Sequence, residues 1–70
     1  MLKLTDSNGR AVFLASTNVA RVIEADPSSK WHGIYSIVRL FDGAVIECQQ
    51  DAATVNRLVE AEMASAKDHL

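Results

Sequence analysis

The chain opens on Leu2-Lys3-Leu4-Thr5, whose alternation of apolar and polar residues is the period-2 signature of a half-buried strand. Asp6-Ser7-Asn8-Gly9 follows, and its Asn and Gly tolerate positive φ, so residues 10–14 return as a second strand. A two-residue and a four-residue loop both place Leu4 on one face with Ala11 and Phe13. The small, polar Ala15-Ser16-Thr17-Asn18 then turns the chain. Residues 19–25 read as a third strand because Val19, Val22 and Ile23 are β-branched. A helical turn around Asn18 to Arg21 is the competing local reading. Asp26-Pro27-Ser28-Ser29 ends this strand, since proline lacks a ladder donor, and residues 26–33 form the longest irregular stretch.

Residues 34–41 and 44–49 predict a second hairpin, turning on Asp42-Gly43. A type I′ turn there pairs Phe41 with Ala44, Arg39 with Ile46 and Ile37 with Cys48. Tyr35, Ile37, Phe41, Ala44, Ile46 and Cys48 then share one face. Ile34, Val38, Leu40 and Val45 share the other with Ser36, Glu47 and Gln49. Both faces carry bulky apolar residues, so a curled sheet, a helix or another subunit must cover them.

From Asp51 onward the period becomes 3.6. Ala52, Val55, Leu58 or Val59, Met63 and Ala66 fall on one stripe, with Asn56, Arg57, Glu60 and Lys67 off it. Gln50 or Asp51 caps the first turn and Lys67 lies near the negative end, which predicts a helix over 51–67. The expected architecture is α+β: a small antiparallel β-meander or partly open five-stranded barrel, then one C-terminal amphipathic helix. The strands fall at 2–5, 10–14, 19–25, 34–41 and 44–49, in one domain spanning 1–70.

Composition narrows the functional classes. With 70 residues, 49% of them hydrophobic and 23% charged, the chain suits one small globular domain rather than a disordered one. A deep substrate cavity would compete with the core for the same few side chains. The net charge is −2, and Lys3, Arg10, Arg21, Lys30, Arg39, Arg57 and Lys67 are scattered, which argues against a nucleic-acid stripe. A single cysteine, Cys48, excludes an intramolecular disulfide and a cysteine-rich zinc site. No run approaches the ~20 apolar residues of a membrane span, and no secretory h-region opens the chain, so membrane insertion is not expected and a reduced cytoplasmic setting is.

Candidate chemistry is sparse. Cys48 with His32 or His69 would be a thiol and its base, but a cysteine mid-strand beside Ile46 reads as buried and inert. Asp6, Asp42 and Asp51 are explained by turns or a cap, and Glu60 and Glu62 by the outer surface of the helix. Two distant histidines do not make a metal site, and Gly9, Gly33 and Gly43 do not make a phosphate loop. The expectation is therefore no catalytic, cofactor or metal residue. Trp31 either anchors a contact or covers the open end of the core.

The order Leu4-Thr5, Asn8-Gly9, Phe13-Leu14, Val22-Ile23-Glu24, Leu40-Phe41-Asp42-Gly43 and Val55 through Val59 resembles the FlbD-type family of short bacterial proteins associated with flagella and swarming motility. The resemblance covers most of the first sixty residues, through turn and core positions. It departs at Asp6, where the family has a basic residue, in the longer 26–33 connection with Trp31, and in the length of the helix. It implies a small non-catalytic accessory protein. Met1-Leu2-Lys3-Leu4-Thr5 also looks like the start of the carbon storage regulators, dimeric RNA-binding β-proteins. Asp6 stands where they carry Arg, and Glu47-Cys48-Gln49-Gln50-Asp51 is acidic where they are basic.

Two readings follow. The first is an interaction protein that self-associates, with a homodimer favoured, and binds an unidentified protein partner through Trp31, Tyr35, Ile37, Val55, Leu58 and Met63. The alternative is a small β-barrel nucleic-acid-binding regulator in which Arg10, Arg21, Arg39 and Lys30 converge beside Tyr35 or Trp31.

Overall fold

Five strands and one long helix emerge in the expected order in the computed structural model, which describes the backbone of residues 1–68 and side-chain surroundings through residue 64. Strands β1 (Leu2–Thr5) and β2 (Ala11–Leu14) form one antiparallel hairpin. Strands β3 (Val19–Glu24), β4 (Ser36–Leu40) and β5 (Val45–Cys48) form a three-stranded antiparallel sheet in that order. Helix α2 (Ala52–Asp68) follows, packing on β1, β3 and β4. This is a meander in two sheets, not a closed barrel. The polar 15–18 segment forms a 3-10 turn over Ser16–Asn18. The 26–33 stretch is more ordered than expected. Its Pro27–Lys30 segment is a short helix, α1, because Asp26 Oδ1 accepts the Ser29 N–H at 2.8 Å and Pro27 presets the first helical φ.

Both hairpins turn through three residues rather than two or four. In the first, the Asp6 N–H donates to the Arg10 carbonyl at 2.9 Å and the Gly9 N–H to the Asp6 carbonyl at 3.0 Å. In the second, the Leu40 N–H donates to Ala44 at 2.9 Å and the Gly43 N–H to Leu40 at 3.1 Å. Gly9 and Gly43 take the left-handed position that ends such a loop, at φ 84° and 93°. The carboxylates complete the turns. Asp6 Oδ1 accepts the Asn8 and Arg10 N–H groups, and Asp42 Oδ1 accepts the Ala44 N–H.

That single extra residue corrects the expected pairing. Leu4 lies opposite Val12, and Phe13 lies opposite the outward Lys3. In the second hairpin Ser36 pairs with Cys48, Val38 with Ile46 and Arg39 with Val45. Side chains alternate with period 2, so the one-residue shift moves Ile37 and Tyr35 off the Cys48 face and brings Val38 and Leu40 onto it. The core is accordingly Leu2, Leu4, Leu14, Val38, Cys48 and Val55, with Val12, Val19, Val22, Leu40, Ile46, Leu58 and Val59 packed around it.

The two sheets meet at one corner. Asp6 and Cys48 form an isolated antiparallel bridge, and the Gln49 N–H donates to the Thr5 carbonyl at 2.9 Å. Gln50 then closes the corner with its side chain. Its Oε1 accepts the Thr5 N–H at 2.9 Å, and its Nε2 donates to Thr5 Oγ1 at 3.1 Å. The fully buried Ser36 hydroxyl donates to the Gln50 carbonyl at 2.6 Å. Gln50 is thus a clamp rather than a cap. The cap is Asp51, whose Oδ1 accepts the Thr54 N–H at 2.7 Å.

Replacing Gln50 by Ala leaves the half-buried Thr5 amide unpaired, and urea unfolding should show a loss of about 1–3 kcal/mol. Leu4→Ala should cost about 2–5 kcal/mol by the same measurement, because Leu4 is wholly buried. Phe13→Ala, on the outer face, should change stability by no more than about 0.5 kcal/mol.

Candidate functional site

The strand alternation that builds the core also dictates what is left outside it. On the outer face of β3–β4–β5, Ile23 lies opposite Ile37, and Ile37 lies opposite Glu47. One step along, Arg21 lies opposite Arg39, and Arg39 opposite Val45. Tyr35 continues β4 at the other end, its N–H donating to Cys48 and its carbonyl accepting from Ala25. This face holds an aliphatic centre, an aromatic at one end and two arginines side by side at the other. Among the described residues no carboxylate lies within ion-pair distance of either arginine. Like charges directly opposite one another weaken a sheet, so this pair does not serve stability.

The six expected contact residues do not gather into one surface. Trp31 caps α1 and is 89% exposed, which rules out its covering the core. Tyr35 is partly exposed and Ile37 half-buried, both on the outer face just described. Val55 is fully buried beneath the sheets and is removed from the contact set. Leu58 is half-buried and helps line an open groove of about 410 Å³ between β1 and α2, with Met1, Leu2, Lys3, Ala61 and Glu62. Met63 is partly exposed on α2, off the stripe that reaches the core. Ala66 and Lys67 lie outside the residues whose side chains are described, and His69 outside the described residues altogether.

Sequence reasoning missed Phe13, Phe41 and Val45, which are 62%, 73% and 55% exposed. Phe13 lies opposite the outward Lys3, a pairing that only the three-residue loop sets. Phe41 and Val45 became legible only once the loop length was known.

Cys48, Glu62 and Lys30 are engaged in structure, while His32 is exposed. Cys48 is completely buried, and desolvation pushes its thiol above the ordinary range, partly offset by the Ser36 hydroxyl. Glu62, expected on the outer surface, is half-buried and meets the Met1 amine at 2.8 Å. Lys30 pairs with Glu24 at 3.4 Å, and Arg10 belongs to the other hairpin, so only Arg21 and Arg39 of the four expected basic residues converge. Among the described residues no three His, Cys, Asp or Glu side chains come together as metal ligands would. No described helix is long and apolar enough to cross a membrane. Comparison with known protein families, curated proteins and solved structures finds no match for this chain.

The two helix caps add a pH dependence on the acid side. The backbone N–H of Ser29, helped by the Ser29 and Ser28 hydroxyls, holds Asp26 below its ordinary 3.8. The Thr54 hydroxyl and then its N–H do the same for Asp51. A carboxylate more acidic in the folded chain stabilises fully above its unfolded pKa and loses that contribution as pH falls through the folded value. Thermal unfolding followed by circular dichroism should therefore show stability declining below pH 3.8, with a smaller decline in Asp51→Asn. Cys48 should resist alkylation in the native protein and react on unfolding, and fast labelling under native conditions would contradict its burial.

Proposed function

We propose that this chain is a non-catalytic interaction protein that works by self-association and by binding another protein. A homodimer is the favoured assembly. What supports the reading is the set of large apolar side chains left in water around an already closed core: Phe13, Trp31 and Phe41. Isolated exposed apolar residues are common, but Trp and Phe are the side chains that interfaces use as anchors. The resemblance to the FlbD-type family adds a bacterial, cytoplasmic accessory role in motility to the proposal.

Light scattering at micromolar concentration, combined with pull-downs on the tagged protein, tests it. An assembly larger than one chain, or a specific protein retained through Trp31→Ala-sensitive binding, is the expected result. A clean monomer that retains nothing overturns it.

A second reading draws on Arg21 and Arg39, which lie opposite one another on a sheet face that also carries Tyr35. Arginines beside an aromatic on an open sheet are what single-stranded nucleic acid binds. Titration with mixed RNA and single-stranded DNA at low salt should then show binding that weakens as salt rises. No binding under those conditions removes this reading.

A further inference from the structure

An antiparallel strand has two edges, and β2 uses only one of them. Among the described residues its sole hydrogen-bonded neighbour is β1. The Asp6 N–H to Arg10 carbonyl bond fixes the ladder phase. Hydrogen-bonded pairs recur every second residue, so Val12 and Leu14 turn their amides toward β1. Ala11 and Phe13 turn theirs the other way, and neither has a hydrogen-bond partner among the described residues.

Exposed edges of this kind are normally blunted by a lysine, a proline, a bulge or a covering element. β3 has such a guard, because its register shifts between Val19 and Arg21. β2, Ala-Val-Phe-Leu, contains no bulge, proline or charge. Its outward side chains are the exposed Ala11 and the 62% exposed Phe13.

We infer that the free edge of β2 is a docking site for β2 of a second copy of this chain, paired antiparallel about a two-fold axis at Val12. In that register Ala11 of each copy faces Phe13 of the other. Those are the two residues whose amides point outward, so each pair exchanges both bonds and four backbone hydrogen bonds form. The side chains match as well. Each Phe13 ring lies over the small Ala11 of the opposite strand, and the two rings meet diagonally across the axis. Val12, half-buried, meets its own copy on the core side, and Arg10 falls opposite Leu14 rather than another charge. The hydrogen-bonding groups and side-chain sizes of this edge are complementary to themselves, and no like charges face one another across it, which makes a second copy the partner it fits. The edge is short, and an interface this small implies a weak, concentration-dependent dimer.

The inference rests on the self-association reading above and specifies its surface. Sedimentation of the whole chain from about 10 µM to about 1 mM should show a reversible monomer–dimer equilibrium. Ala11→Pro removes an N–H that no bond among the described residues uses, at a strand start where proline is tolerated. It should weaken the dimer at least tenfold, and Phe13→Lys should do the same, with circular dichroism unchanged. In the unmodified protein the Ala11 and Phe13 amides should gain hydrogen-exchange protection on concentration. A mixture of labelled and unlabelled chains should give an intermolecular contact between the Ala11 methyl and the Phe13 ring. A dimer that keeps its affinity in both variants, with those amides unprotected, overturns the β2 edge while leaving self-association intact. A chain that stays monomeric throughout the range yet captures another protein overturns the second copy as partner but not the interaction role.

Discussion

Gln50 holds the molecule together. Neither the β1–β2 hairpin nor the three-stranded sheet has a hydrophobic face that it can bury alone, so each depends on the angle at which the other meets it. That angle is set where Thr5 binds Gln49 through its carbonyl and Gln50 through its amide and hydroxyl. Ser36 fastens the same junction to β4, and its hydroxyl is buried because the Gln50 carbonyl accepts its proton. One residue later Asp51 starts the helix, so the segment that locks the sheets also aims α2 across them. Val55 drops into the gap, one turn from the cap, and closes the core.

The three-residue loops have the next largest effect, because they decide which half of each strand is wet. Leu4, Val38 and Cys48 are inside and Phe13, Ile37 and Val45 face outward for one reason: Gly9 and Gly43 each end a loop of odd length. An even loop would invert one strand of each pair and bury Phe13 and Ile37 instead. The outward amides of Ala11 and Phe13 and the exposed ring of Phe13 are consequences of that parity. Exposed apolar and basic surface here is what the register leaves over. It is therefore divided between two sheets and the α1 corner rather than gathered in a cleft.

Small size sharpens this division. A chain of 70 residues spends its interior on about a dozen aliphatic side chains. Its one thiol and its buried hydroxyl are engaged in packing and bonding, and its acidic turn residues cap amides. What lies on the outside, among the described residues, is a strand edge without a neighbour, a sheet face with two arginines that meet no carboxylate, and Trp31 at the end of α1. These lie on separate parts of the molecule.

Local chemistry was legible without the fold. Lys3 between two leucines, the β-branched run at 19–24, glycine in each turn, Asp51 ahead of a 3.6-residue period and a silent Cys48 all follow from propensities that act within a few residues. Asp6, Asp42 and Asp51 were placed for the same reason, since turns and caps are short-range hydrogen bonding. The parity of the two loops was not legible, because Asn-Gly and Asp-Gly serve loops of two, three or four residues and the energy that selects among them is burial of the opposite strand. Nor was the Gln50 clamp, whose Thr5 partner is 45 residues away. Val55 and Trp31 show the same boundary. By sequence both were apolar contact candidates. The meeting of two sheets under α2 buried the first and left the second in water, because burial belongs to the assembled layers and not to the residue.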